Sequence, residues 1–99
     1  MPELTGKQRR YLRGLGHHLD PVVMIGQRGL SDALERKVDA ELENHELIKV
    51  RIGGGALEDA KEAGAALAGA CSAALVQVVG NTALLYRPRE DDPEIVLPR

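Results

Sequence analysis

The sequence has no tryptophan, no phenylalanine and only two tyrosines. Its core must be built from valine, leucine, isoleucine and alanine, and a broad aromatic platform for stacking the successive bases of a single strand is excluded. Cys71 is the only cysteine, so no intrachain disulfide is possible, which fits a reducing compartment. It lies in an alanine-rich helical run, where a buried structural thiol is expected. No apolar run is long enough to cross a bilayer, because the weakly polar stretch 63–79 is interrupted by Gly64, Gly69, Ser72 and Gln77. The opening MPELTGKQRRYLRGLG lacks the apolar segment of a secretory signal. The expectation is a cytoplasmic protein that does not engage a membrane.

Arrangements that carry catalysis are equally scarce. His17, His18 and His45 have no Cys, Asp or Glu at a familiar metal-ligand spacing. Nothing in the pattern orients a histidine as base toward Cys71. IGGGA follows a strand-like run but lacks the lysine of a phosphate-binding loop. The acidic pairs Glu58, Asp59 and Asp91, Asp92 read as solvated surface. A protein without enzymatic activity, cofactor or metal is expected.

What is present is a chain of 99 residues, 43% hydrophobic, which suits a single domain over 1–99. Its net charge of −2 conceals an asymmetry. Residues 1–31 hold Lys7, Arg9, Arg10, Arg13 and Arg28 against Glu3 and Asp20, a net of +3, which leaves −5 for residues 32–99. Such a split builds a basic face on an acidic protein.

Patterning predicts α-β-α-β-α-β-β. Thr5 is placed to cap a first helix running to about 15, with Leu4, Tyr11, Leu12 and Leu15 on one side and the four cations on the other. Residues 21–25 read as a short buried strand, and Ser31 or Asp32 caps a second helix to about 44 with Asp32, Glu35, Asp39 and Glu43 along its outer side. In ELIKVRI, Ile48, Val50 and Ile52 alternate with Leu47, Lys49 and Arg51, the signature of a strand with one buried face and one cationic face. A third helix is predicted over about 56–71, then two strands joined by Gly80 and Asn81 as a hairpin turn. Residues 88–99 form an acidic, proline-containing tail whose EIVLP segment is expected to add an edge strand or dock. The economical fold is a two-layer α/β domain: a four-stranded mixed sheet with helices mainly on one face, parallel pairing across the helices, and the Lys49 and Arg51 side on the other, more open face.

The turn Gly26, Gln27, Arg28, Gly29 lies between the first strand and a helix start. Glycine allows positive φ and close backbone approach, successive N–H groups can converge on an anion, and Arg28 adds a planar donor suited to phosphate. A GXXG loop clamps the nucleic-acid backbone in KH modules in this way. The basic first helix and the Lys49 and Arg51 strand face strengthen a phosphate-binding reading over that of a plain turn.

Three stretches, PVVMIGQRGLS, ENHELIKVRI and VQVVGNTALLYRP, together with LTGKQRRYLRGLGHHLDP and the final LPR, resemble the CRS1–YhbY (CRM) family in its small stand-alone bacterial form. The resemblance covers nearly the whole chain. It implies an α-β-α-β-α-β-β domain similar to the C-terminal domain of translation initiation factor 3, and RNA as partner. It further implies association with ribosomal RNA in precursors of the large subunit, as an assembly factor. The family's GXXG loop falls on Gly26, Gln27, Arg28 and Gly29, and its basic first helix on Lys7, Arg9, Arg10 and Arg13; Lys49 and Arg51 extend the expected RNA surface. Ribosomal proteins are further candidate partners. The alternative is a protein-interaction domain that docks on a ribosomal protein or an assembly GTPase through the acidic second helix and tail.

Overall fold

The computed structural model describes residues 3–26, 29–53 and 59–99. The elements follow the predicted order: α1 (Gly6–Gly16), β1 (Pro21–Ile25), α2 (Asp32–His45), β2 (Leu47–Ile52), α3 (Ala60–Ala70), β3 (Ala74–Val79) and β4 (Thr82–Tyr86). Thr5 caps α1 in a full capping box: its hydroxyl accepts from the Gln8 N–H, and the Gln8 side chain accepts from the Thr5 N–H. Ser31 caps α2 by accepting from the Leu34 N–H, and Asp59 caps α3 by accepting from the Glu62 N–H. The third helix therefore starts at Ala60, later than its alanine content predicts; residues 56–58 lie outside the described residues.

The strands form one sheet in the order β1-β2-β4-β3. β1 pairs parallel to β2, while β4 runs antiparallel to both β2 and β3. Parallel pairing across a helix thus holds for β1 and β2 only, because β4 occupies the position between β2 and β3. The reason is burial: Ala83, Leu84, Leu85 and Tyr86 are all buried, so β4 needs cover on both faces and a neighbour on both edges. Gly80, with φ +55, turns the chain from β3 into β4 as the first central residue of the hairpin loop.

α2 and α3 cover one face of the sheet. Val38 and Leu42 of α2 and Ala63, Leu67 and Ala68 of α3 meet Ile48, Val50, Ile52, Ala83 and Leu85 in the main core. α1 packs on the opposite face, where Leu12 joins Leu47, Val76, Leu84 and Tyr86, with Leu4, Ile95 and Leu97 at the margin. Helices lie mainly on one face, as expected, and the structure adds that Leu47, Leu84 and Tyr86 make the other face too apolar to leave open, so α1 with the tail packs over part of it.

The burial of α1 is also rotated from its apolar stripe. Leu12 is fully buried, whereas Tyr11 is 43% and Leu15 38% exposed. The helix instead turns Gly16 against the sheet, where a Cβ would stand 2.7 Å from Leu84 Cδ2.

The tail docks without becoming a strand, and Glu46 holds it. This residue ends α2 with φ +64, its N–H donating to the Leu42 carbonyl, and it is wholly buried. Its carboxylate accepts from the backbone N–H groups of Arg89 at 3.0 Å, Glu94 at 2.7 Å and Ile95 at 3.0 Å. Burial pushes the carboxyl upward, but these three donors, with the nearby Arg89 charge, outweigh it and hold the group below its ordinary value. A carboxyl whose folded-state pKa lies below its unfolded one stabilises the fold above the unfolded pKa, and that contribution is lost as pH falls through the folded value. Glu46→Gln should lower stability at neutral pH by about 2 kcal/mol, since an amide presents two donors to a site made of donors. Denaturant titrations of both proteins across the acid range should show a shallower loss of stability with falling pH for the variant.

Candidate nucleic-acid interface

The face of the sheet that carries α1 is only half covered. Cross-strand register sets Leu47 and Tyr86 under the helix and tail. Beyond them runs a row formed by Pro21, Lys49, Leu84 and Gln77. A last row holds Met24, Arg51, Thr82 and Val79. Where α1 ends at Gly16 and His17 the sheet opens into a cavity of about 530 Å³. Lys49 lines this cavity half-buried, and Arg51 is exposed beside Met24, near the end of β1 that leads into the glycine turn.

In that turn Gly29 is buried, has φ +67 and donates its N–H to the Gly26 carbonyl at 3.0 Å. A left-handed φ at a buried position is the conformation that calls for glycine, so Gly29 closes the turn before Ser31 caps α2. Gly26 is exposed and has open space around it. Gln27 and Arg28 lie outside the described residues.

The four cations of α1 divide into two kinds. Lys7, Arg10 and Arg13 are exposed. Arg9 is half-buried, and its Nη1 donates to the Leu75 carbonyl at 2.9 Å and the Val76 carbonyl at 3.4 Å. Those carbonyls sit where the β3–β4 register shifts between Leu75 and Gln77. Irregular edge backbone needs partners, and the guanidinium supplies them. The expectation of four free cations on the face of α1 away from the sheet is corrected for Arg9, which ties the helix to β3. The sequence gives no signal that separates it from Arg10, because the separation depends on how the helix is rotated on the sheet.

The acidic stripe of α2 lies on the other side of the sheet. Of the α2 stripe, Asp39 and Glu43 both pair with Arg87, whose Nη1 also donates to the Cys71 carbonyl. Cys71 is buried beneath them, its Sγ 3.6 Å from the Glu35 carbonyl. Burial pushes its thiol above the ordinary value, Asp39 and Glu35 add to this, and Arg87 opposes it. The thiol is held protonated, which suits packing and not nucleophilic attack. Among the described residues no group of three or more His, Cys, Asp or Glu is arranged to hold a metal ion, and no helix is long and apolar enough to cross a membrane.

The residue missed by sequence reasoning is Glu46. The pattern HEL at the junction of α2 and β2 carries no mark of a buried carboxylate, because its three partners lie more than forty residues away.

Among the described residues, three helices, a half-covered four-stranded mixed sheet and a glycine at the close of the β1–α2 turn define an α/β domain class. Residues 4–87 match the CRS1 / YhbY (CRM) domain. The chain belongs to that family. It is 41% identical over its whole length to 99% of an "RNA-binding protein" of Haemophilus influenzae. It is also 39% identical, over 96% of its length, to 99% of the "Probable RNA-binding protein YqeI" of Bacillus subtilis. The solution structure of SAV1595 from Staphylococcus aureus superposes with a TM-score of 0.82 at 43% identity, covering 97% of this chain and all of that one.

The two kinds of α1 cation should separate in stability measurements. Arg9→Gln should destabilise the fold by about 1 kcal/mol through loss of charge-assisted hydrogen bonds to backbone, whereas Arg10→Gln and Arg13→Gln should leave the urea midpoint unchanged.

Proposed function

We propose that this protein binds RNA with the exposed cations of α1, the β2 cations Lys49 and Arg51 and the turn at 26–29. The observation that carries the reading is a group of cations on one face of the sheet: Lys7, Arg10 and Arg13 are exposed on α1, and Lys49 and Arg51 of β2 alternate onto the same side as that helix. The names of the Haemophilus and Bacillus relatives support it. On this reading Lys7, Arg10 and Arg13 meet phosphates, and Arg9 holds the helix that presents them. Lys49 and Arg51 extend the contact over the sheet. Gly26, Gln27, Arg28 and Gly29 take a phosphate on their backbone, with Arg28 as a side-chain donor. The protein acts by binding, without turnover.

The RNA we assign is ribosomal RNA in precursors of the large subunit, with the protein as an assembly factor and ribosomal proteins as its neighbours there. The family resemblance supports this finer reading. Docking through the acidic helix and tail is less favoured, because Asp39 and Glu43 of its stripe are already paired with Arg87. Sedimentation of a lysate through a sucrose gradient tests the assignment: the protein should travel with large-subunit precursors, and recovery only among particles lacking ribosomal RNA would sink it.

A salt titration tests the interface. Each neutralised phosphate releases condensed counterions, so log K falls with log salt by about 0.9 per contact for duplex and about 0.7 for single strands. Replacing Arg10 and Arg13 by glutamine should make the slope shallower by about one to two units. Affinity should fall alike for all RNA sequences, since phosphate contacts position without specifying. An unchanged slope in a folded variant would mean that these side chains face only solvent.

A further inference from the structure

The open half of the sheet holds more than cations. In the cavity beyond the end of α1, Lys49 stands among His17, Gln77 and Thr82, with apolar walls from Leu84 and Val79. Arg51 is the cross-strand neighbour of Thr82, and Met24 and Val79 at the two ends of that row are 61% and 63% exposed. No carboxylate is among the described residues that line it. A surface that met only phosphate would have no use for exposed apolar ends with a hydroxyl between them, or for the Gln77 amide in the adjacent row.

These groups match the parts of a single nucleotide. Lys49 is a point charge for the phosphate. The His17 ring and the Arg51 guanidinium offer planes on which a base can lie, the role that aromatics play where a chain has more of them. The Gln77 amide and the Thr82 hydroxyl supply donors and acceptors for a base edge or a ribose 2′-hydroxyl. The cavity, about 530 Å³, lies within the size range of small-ligand sites. One position of this kind is compatible with the shortage of aromatics, which excludes only a long stacked strand.

We infer that the open half of the sheet is a subsite for one unpaired nucleotide, splayed out of an otherwise helical RNA whose phosphates run along α1. The inference rests on the RNA-binding reading and goes beyond it by stating which RNA is preferred. The probes are two synthetic RNA hairpins, one with a fully paired stem and one with a single unpaired uridine in the same stem, compared by fluorescence anisotropy. The parent should prefer the bulged hairpin by about tenfold, the scale of the two hydrogen bonds that Gln77 and Thr82 would make to the splayed nucleotide. Gln77→Val with Thr82→Val keeps strand propensity and charge, so it should abolish the preference while leaving affinity for the paired stem and its salt slope unchanged. With 4-thiouridine at the bulge, ultraviolet crosslinks should map to β2, β3 or β4. If both hairpins bind the parent equally, or the folded variant keeps the preference, the subsite is wrong while RNA binding stands. If neither hairpin binds at any salt concentration, both readings are overturned.

Discussion

The Glu46 carboxylate is the contact on which the rest of the arrangement depends. It is buried without a neutralising side chain in direct hydrogen bond, and it is satisfied by three backbone N–H groups of the tail. Its own backbone performs a second task. The rarely used φ of +64 stops α2 and starts β2 at the next residue, while its carbonyl accepts from the Arg87 N–H. One residue therefore fixes the exit of a helix, the entry of a central strand and the path of the last ten or so residues. The tail so placed carries Ile95 and Leu97 onto the second apolar cluster, and its Pro98 carbonyl accepts from the Gln8 side chain near the start of α1. The docking of α1 and the fixing of Glu46 thus reinforce each other through the tail.

That docking creates the candidate interface. A helix laid over only part of the sheet covers Leu84 but leaves the flanks of its row and the row beyond it open, and both rows contain a cation from β2. Gly16 allows the end of α1 to sit directly on Leu84, and Arg9 anchors its flank to β3. The three remaining cations of the helix are then exposed on the side of the sheet away from α2, the side that Lys49 and Arg51 also occupy. The grouping of these cations is a product of this placement, since the composition alone gives a weakly acidic protein. On the far face Arg87 pairs with Asp39 and Glu43 of α2.

Much of the fold was legible because its signals are local. Thr5 and Ser31 announced two helix starts, the alternation of ELIKVRI gave the faces of β2, and Gly80 with Asn81 announced the hairpin. The candidate site was legible to a lesser degree. Residue types and spacing brought out the glycine turn and the cations of α1, but treated Arg9 as equivalent to Arg10. Periodicity puts Tyr11 and Leu15 on the packed face, yet the helix rolls toward Gly16 and leaves both partly exposed. An amphipathic pattern defines a stripe; close approach to a particular partner such as Leu84 selects which edge of it is buried.

The sequence by itself determined the order of elements, their caps, the two faces of β2 and the concentration of positive charge before residue 32. Each of these depends on residues near in the chain, through backbone hydrogen bonding and side-chain periodicity. Tertiary structure alone decided that β4 lies between β2 and β3, that α1 takes the face opposite α2 and α3, that Arg9 serves the fold, and that Glu46 is buried. These outcomes depend on which apolar surfaces compete for cover and which distant polar groups must be satisfied once water is excluded. Neither question has an answer until the whole chain is packed.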